Sequence, residues 1–291
     1  MSDTADAKTL GKARLFHERF REVISDPLNL LIERVPEAGY FDEAERVILH
    51  NGLTVASGDQ PGAYYGKFSE LLVFNRGVHE PLEEFCFQEF LKLQPPPAPV
   101  MIELGAYWAH YSMWFQSRYQ NGRTILVEPN DRNLRAGEMN YTHNGFEGTF
   151  INAFVGHGHF GIDEYCTAEK MDEIYLLHSD IQGYEVEMLD DAAEKLEDHK
   201  ISYLFVSTHG PKVLDACLSR LSDKKYDIEV VSEPREHTTS TDGFILASAP
   251  NVSKVFNAFS PMGRIDIAHS TGPDHLTYLN GVHQNRLNDD T

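Results

Sequence analysis

The sequence predicts an α/β fold, a doubly wound, mainly parallel seven-stranded sheet with an N-terminal helical extension. Three observations carry that expectation. From Val100 onward, short apolar runs alternate with stretches of helical periodicity, the pattern of βα units laid into one parallel sheet. The breaks between them fall on turn formers, the prolines at 95–99, Asn121-Gly122 and Asn144-Gly145. The last two apolar runs have only a polar loop between them. They therefore form a hairpin and place one antiparallel strand in the sheet.

The elements follow in chain order. Leu10, Leu15, Phe16, Phe20 and Val23 recur at near-helical spacing. Pro27 interrupts, and Leu28–Val35 and Phe41–Leu49 read as two more short helices. Asn51–Gly66 is rich in glycine and reads as a loop or hairpin. Its Tyr64 and Tyr65 read as surface loop, with a substrate lid as the alternative. Pro81 suits the first turn of a helix running to Leu93, and the proline run stops it. The strands are Val100–Leu104, Thr124–Val127, Thr149–Val155, Ile174–Leu177, Ile201–Val206, Asp227–Val231 and Phe244–Ala247. Between the first strands lie helices over Ala109–Tyr119 and Asp131–Asn144, the second with Asn130 as its cap. Gly156–Glu169 reads as irregular, and 251–291 shows little periodicity. The expected division is an N-terminal helical extension or lid over 1–76, a ligand-binding α/β domain over 77–250 and a C-terminal extension over 251–291.

Composition narrows the partners. The chain has 291 residues, 41% of them apolar, with 25 basic against 45 acidic residues and a formal net charge of −20. A groove that tracks nucleic acid needs clustered Lys and Arg, and no such cluster is present, so neither nucleic acid nor an anionic membrane is an expected partner. No window reaches the roughly 18 apolar residues of a membrane span. Cys86, Cys166 and Cys217 are odd in number and lack C-x-x-C spacing, which fits reduced thiols in the cytoplasm. The polar N-terminus does not read as a secretory signal. A small uncharged or cationic molecule is the expected partner, and the helical extension offers a surface for homo-oligomer formation.

The chemistry sits where strands stop. Strand one ends on Glu103 and Gly105, strand two on Glu128, strand four on His178, Asp180 and Gln182, and strand five on Ser207, Thr208 and His209. In a parallel sheet these ends share one edge and line one crevice. Gly105 allows close backbone approach, and the helix that follows begins with free N–H groups. Glu128 stands about 20 residues beyond Gly105, where a carboxylate accepts ribose hydroxyls in dinucleotide sites. The turn lacks G-x-G-x-x-G: Tyr107, Trp108 and Ala109 occupy it. That disfavours a pyrophosphate and therefore NAD. A nucleoside without phosphates asks less of the turn. S-adenosylmethionine is such a ligand, with its ribose on Glu128 and its methionine end at Glu103–Ala106. Asn152 and Phe154 lie near the third strand end, on the adenine side, where Phe154 reads more simply as core. Trp108 reads as facing the pocket and Trp114 as packing. His157 and His159 read as exposed loop histidines, and Glu83-Glu84 as a solvated helix face.

Five segments together, GVHEPLEEF, IELGAYWAHYS, ILVEPN, LLHSDIQGYEVEML and STDGFILA, resemble in order and spacing the FkbM family of S-adenosylmethionine-dependent methyltransferases. The resemblance runs from about Gly77 to Ser248. It implies a class I methyltransferase, Rossmann-like domain and O-methylation of a sugar, polyketide or other secondary metabolite. It assigns Glu103, Gly105 and Ala106 to the cofactor turn, Glu128 to the ribose and Glu80 to a cofactor-side lid. Asp180, Gly183 and Glu185 fall on the family's D-x-x-G-x-E motif, Asp180 being both cofactor-side and catalytic. The sequence departs from the family pattern at Glu103, commonly Asp, at Ala109, commonly Gly, at His178, often Lys, and at Gln182, often Glu.

Three roles are open to His178, Asp180 and His209. One of them removes a proton from the acceptor hydroxyl, or the three hold a divalent metal, or they only brace loops. An H-x-D with a later His is also an iron-oxygenase pattern, but those enzymes sit on all-β barrels. A non-catalytic module that binds S-adenosylmethionine or another nucleoside is the alternative from a different functional class.

Overall fold

The computed structural model describes residues 16–63, 69–156, 158–234, 239–240, 242–257 and 259–286. Tyr64, Tyr65 and His157 lie outside the described residues. Residues 16–25 are helical (α1), and Pro27–Leu30 forms one 3-10 turn. The two further helices expected before residue 50 are not formed. Instead β1 (Val47–Ile48) and β2 (Thr54–Val55) pair as a small antiparallel hairpin. Val47, Leu49, Leu53 and Val55 are all buried there, so the alternating apolar pattern belongs to a two-residue period. Two helices follow, α2 (Glu70–Phe74) and α3 (Pro81–Phe90).

The central sheet holds β3 (Val100–Leu104), β4 (Arg123–Val127), β5 (Thr149–Ile151), β6 (Ile174–Ser179), β7 (Ile201–Thr208), β8 (Asp227–Ser232) and β9 (Gly243–Ser248). Its order is β5-β4-β3-β6-β7-β9-β8. The first five strands run parallel, and β9 is antiparallel to both β7 and β8. This is the expected doubly wound sheet with its one reversed strand. The helices are α4 (His110–Arg118), α5 (Asp131–His143), α6 (Ile162–Ala168), α7 (Glu185–Asp191), α8 (Ala193–Glu197), α9 (Pro211–Asp223), α10 (Arg264–His269) and α11 (Gly272–Gln284). Asn130 caps α5 by accepting from the N–H groups of Arg132 and Asn133. The strand order reverses between β3 and β6, which is where such sheets bind ligands.

Two expectations about the flanks are corrected. The segment 156–169 contains α6, and 251–286 contains α10 and α11. The signal for α11 was Thr271 with Asp274, a reciprocal capping box ahead of an apolar stripe. The flanks also share the central core. Leu28, Val47 and Val55 from the N-terminal side, and Val255, Phe256 and Val282 from the C-terminal side, pack in one cluster with α3 and α4. The buried Glu229 of β8 accepts from the N–H groups of Val255 and Phe256, both at 2.8 Å.

Asp26 ties the N-terminal side to the loop before β9. It accepts from the Leu28 N–H at 2.8 Å and the Thr239 hydroxyl at 2.6 Å. Burial, only partly offset by these donors, pushes its carboxyl up to about 6. A carboxyl raised on folding binds protons more tightly in the folded state, so its ionisation costs stability as pH rises from about 4 through 6. Asp26→Asn keeps the shape without that charge. Its stability relative to wild type should improve by about 1–3 kcal/mol between pH 4.5 and pH 7.5, read from urea unfolding at each pH.

Candidate functional site

The carboxyl ends of β3, β4 and β6 open into one cavity of about 800 Å³, within the range of small-molecule sites. Its wall begins at the turn after β3. Gly105 sits at φ +76, and a Cβ there would lie 1.9 Å from the Asp180 carbonyl oxygen. The glycine is therefore required by the backbone that leaves β6, a constraint invisible in the local sequence. Tyr107 (φ 38) and Ala109 (φ 66) complete the turn in left-handed conformations, and α4 starts at once from Ala109.

Each acid at this edge has a defined job. Glu103 is buried and accepts from the Ser112 N–H in the first turn of α4 at 3.1 Å. Burial raises its carboxyl, partly offset by His178 and that hydrogen bond. Glu128 is 6% exposed. One of its oxygens accepts from the Asn130 N–H at 2.8 Å and the other from the Tyr107 N–H at 3.3 Å. Glu128 lines the cavity, and an ionised carboxylate accepts about four hydrogen bonds, so it has capacity left for a ligand. Ala106 lines the cavity as expected. Asn152 lies just past β5, is exposed, and spends its amide on the Glu128 and Pro129 carbonyls at 3.0 and 3.1 Å. It braces the Glu128 loop from behind. The neighbouring aromatic corrects the sequence reading: Phe154 is 57% exposed and lines the cavity.

The expected His178–Asp180–His209 cluster divides into two. His178 is inside β6, one residue further into the sheet than its apolar run suggested. Its Nε2 lies 2.5 Å from Glu83 Oε1, while the Ser207 hydroxyl donates to Glu83 Oε2 at 2.9 Å. Burial pulls the His178 imidazole down, but Glu83 outweighs it and the net shift is upward; burial also raises the Glu83 carboxyl. Glu83 and Glu84 are 5% and 0% exposed, which overturns the solvated-face reading. His209 instead lies between Glu185 at 2.7 Å, Asp180 at 3.3 Å and Asp242 at 3.4 Å. Burial alone would lower it, but hydrogen bonds and charges from these acids lift it to about 10. At neutral pH it is an imidazolium, so it clamps acids and does not accept a proton. The expected metal set of Asp180, His178 and His209 does not come within reach of one ion among the described residues.

The roof comes from segments that strand-end reasoning did not reach. Arg19 of α1 donates to the Ser240 hydroxyl at 2.9 Å and to Glu80 at 3.0 Å. Burial alone would raise Glu80, but His79 and Arg19 hold it down at about 2. Glu18 and Glu22 of α1, together with Asp242 and Arg264, also line the cavity, and among its described lining residues eight carboxylates stand against three arginines. That balance suits an uncharged or cationic ligand better than a phosphate. Trp108 lines the cavity, while Trp114 packs against Phe87 with ring centroids 5.1 Å apart. His159 is exposed. Among the described residues, no helix is long and apolar enough to cross a membrane.

No protein-family model matches the chain, and no curated protein matches it. Several solved structures are similar in part. A precorrin-6y C5,15-methyltransferase from Geobacter metallireducens aligns over 67% of this chain and 95% of its own, at 16% identity and TM-score 0.43. TrmK of M. capricolum, solved with S-adenosyl-homocysteine, aligns over 67% of this chain and 81% of its own, at 16% identity and TM-score 0.40. A ribosomal protein L11 methylase from Lactobacillus delbrueckii aligns over 58% and 77%, at 13% identity and TM-score 0.40.

Proposed function

We propose that the chain is an S-adenosylmethionine-dependent methyltransferase acting on a hydroxyl of a small, uncharged or cationic molecule. The observation that carries the reading is Glu128. It is a buried carboxylate, fixed by two backbone N–H groups and open to the cavity, beside a glycine turn at the point where the strand order reverses. The motif order shared with the FkbM family supports the same assignment, and with it an acceptor such as a sugar or polyketide. Tyr107 and Trp108 stand where a pyrophosphate would need bare backbone.

The donor set fits this cofactor. Glu128 would accept the ribose hydroxyls, the exposed ring of Phe154 would face an adenine, and Glu103 with the Gly105–Ala106 backbone would border the methionine end. Once bound, S-adenosylmethionine supplies an electrophilic sulfonium methyl. The protein positions the acceptor oxygen and removes its proton. Asp180 is the base: its side chain lies on the cavity and is 38% exposed, and His209 holds it in place from behind. The Glu83–His178–Ser207 network braces the floor. Most of the acceleration comes from holding the two reactants in line.

Calorimetric titration with S-adenosylmethionine and S-adenosylhomocysteine tests the first half. Wild type binds both, and Glu128→Ala weakens binding by about 10- to 100-fold, the loss of one or two hydrogen bonds to a charged group. Absence of binding by wild type ends the reading. In the second half, a panel of polyols and glycosides is assayed for S-adenosylhomocysteine release. Asp180→Asn should lower turnover by about 10²- to 10⁴-fold while cofactor affinity stays within a factor of three.

A further inference from the structure

A second set of ligating side chains lies beneath the wall of the cavity, where the N-terminal hairpin meets α3 and α4. His50, Glu84 and His110 are 1%, 0% and 1% exposed. One atom from each lies within 4.8 Å of the atoms of the other two. They come from three distant segments. Gly77, at φ +81, makes the meeting possible, because a Cβ there would sit 2.1 Å from the His50 nitrogen of the main chain.

The contacts are those of a site with a missing centre. Glu84 Oε1 is fixed by the N–H groups of His79 and Glu80 at 2.8 and 2.9 Å. Oε1 also faces His79 Nδ1 at 2.5 Å, and Oε2 lies 2.9 Å from His50 Nε2 in a contact that is close but poorly aligned for a hydrogen bond. In the tautomer that carries the His50 ring hydrogen on Nδ1, toward the Glu33 carbonyl at 3.4 Å, Nε2 presents a lone pair, and a cation set beside the line from Nε2 to the carboxylate oxygen would be shared by the two. A divalent ion bonds off that line: two ligands at about 2.0–2.2 Å on a tetrahedral ion lie roughly 3.3–3.6 Å apart, a small opening from the contact seen. His110 adds a third donor. Neither of its ring nitrogens has a hydrogen-bond partner, and its ring stacks on Trp108 and Trp114 at 4.9 and 5.9 Å. Leaving buried donors and acceptors unmatched is costly, a cost that a bound ion removes.

We propose that His50 Nε2, Glu84 Oε2 and a ring nitrogen of His110 bind a divalent transition-metal ion, zinc being the best match. Two imidazoles and one carboxylate favour zinc and its first-row neighbours over calcium or magnesium. Binding brings the three donors to the roughly 3.3–3.6 Å separations of ligands on one ion. His110 lines the cavity, which gives the ion an entry path. His110 is also the first residue of α4, directly after the turn that carries Tyr107 and Ala109. The ion therefore ties the N-terminal hairpin to the turn that shapes the cofactor pocket.

The test uses the full chain, stripped with a chelator and reloaded with zinc or cobalt. Expected for wild type are about one tightly held ion per chain by elemental analysis, intense visible bands of low-coordinate cobalt, and a rise of several degrees in Tm. His110→Phe keeps an aromatic ring in the stack and removes the donor, and His50→Gln removes another. Both variants should lose the tight ion and the cobalt bands while retaining the wild-type circular dichroism. If His110→Phe does not fold, His50→Gln decides alone. The proposal is overturned if wild type holds less than about a tenth of an equivalent. It is equally overturned if the cobalt bands persist in a folded variant, which places the ion on other histidines. None of these readouts depends on methyl transfer, so the metal and the proposed activity stand or fall separately.

Discussion

Gly105→Ala should destabilise the protein by about 4 kcal/mol or more, or prevent folding, whereas Gly145→Ala should cost only about 1 kcal/mol. The two glycines share the same backbone conformation, φ +76. An alanine at either position meets the same intrinsic strain of a left-handed residue, on the order of 1 kcal/mol. They differ in what surrounds the new Cβ. At Gly145 nothing lies within 4 Å, while at Gly105 the Asp180 carbonyl oxygen would be 1.9 Å away. That oxygen cannot retreat cheaply, because the Asp180 N–H is bonded to the Leu104 carbonyl at 2.9 Å. Relief requires β3 and β6 to part at the point where the cavity opens. Urea unfolding of both variants checks this. Equal losses would mean that the turn is strained but not crowded. Any folded Gly105→Ala protein should also lose cofactor affinity, since Asp180 and the Tyr107 N–H that holds Glu128 both shift.

Much of the site follows from one rule, that polar residues at the ends of apolar strands gather on one edge of a parallel sheet. Glu103, Gly105, Glu128 and Asp180 were legible in that way, because each directly ends or follows a strand. Glu83 was not. It lies on α3, a helix buried along its whole length. Such a helix tolerates acids only when partners arrive from elsewhere, here His178 and Ser207 from the sheet for Glu83 and the His79 ring with the His79 and Glu80 N–H groups for Glu84. Those partners are far away in sequence, so the charged pair reads locally as a wet face. Phe154 differs for the opposite reason: β5 stops at Ile151, so Phe154 lies beyond the strand end and is exposed on the cavity wall. The N-terminal hairpin is legible only on its second side, where Asn51–Gly66 reads as loop or hairpin; with strands two residues long, the apolar positions of Phe41–Leu49 fit a helical face as well as an alternating one. The α1 roof depends on Arg19 meeting Glu80 and Ser240, contacts that no local pattern encodes.

The other large effect concerns His209 and the acids around it. Asp180 follows β6, Glu185 opens α7 and Asp242 precedes β9, so the imidazolium joins three elements. Its folded value of about 10 lies above the ordinary value of 6.5. A cation raised in this way contributes fully below pH 6.5, and its contribution is lost as pH rises through 10. His209→Gln keeps a hydrogen-bonding side chain but cannot carry the charge. The variant should be less stable than wild type at pH 7 by about 3 kcal/mol, since it leaves the fully buried Glu185 without its counter-charge. That deficit should shrink by about 2 kcal/mol at pH 9, because above 6.5 the folded state must hold a proton that the unfolded state has released. Comparing the two proteins at each pH cancels the titration of the buried tyrosines, which both share. A deficit that is the same at both pH values would show that His209 acts through packing and not through charge. The same substitution separates the two roles assigned at this edge. If His209 only holds Asp180 in position, His209→Gln reduces turnover by less than Asp180→Asn does. Its rate profile also keeps the acidic limb set by the base. A turnover loss equal to that of Asp180→Asn would instead place His209 on the proton's path.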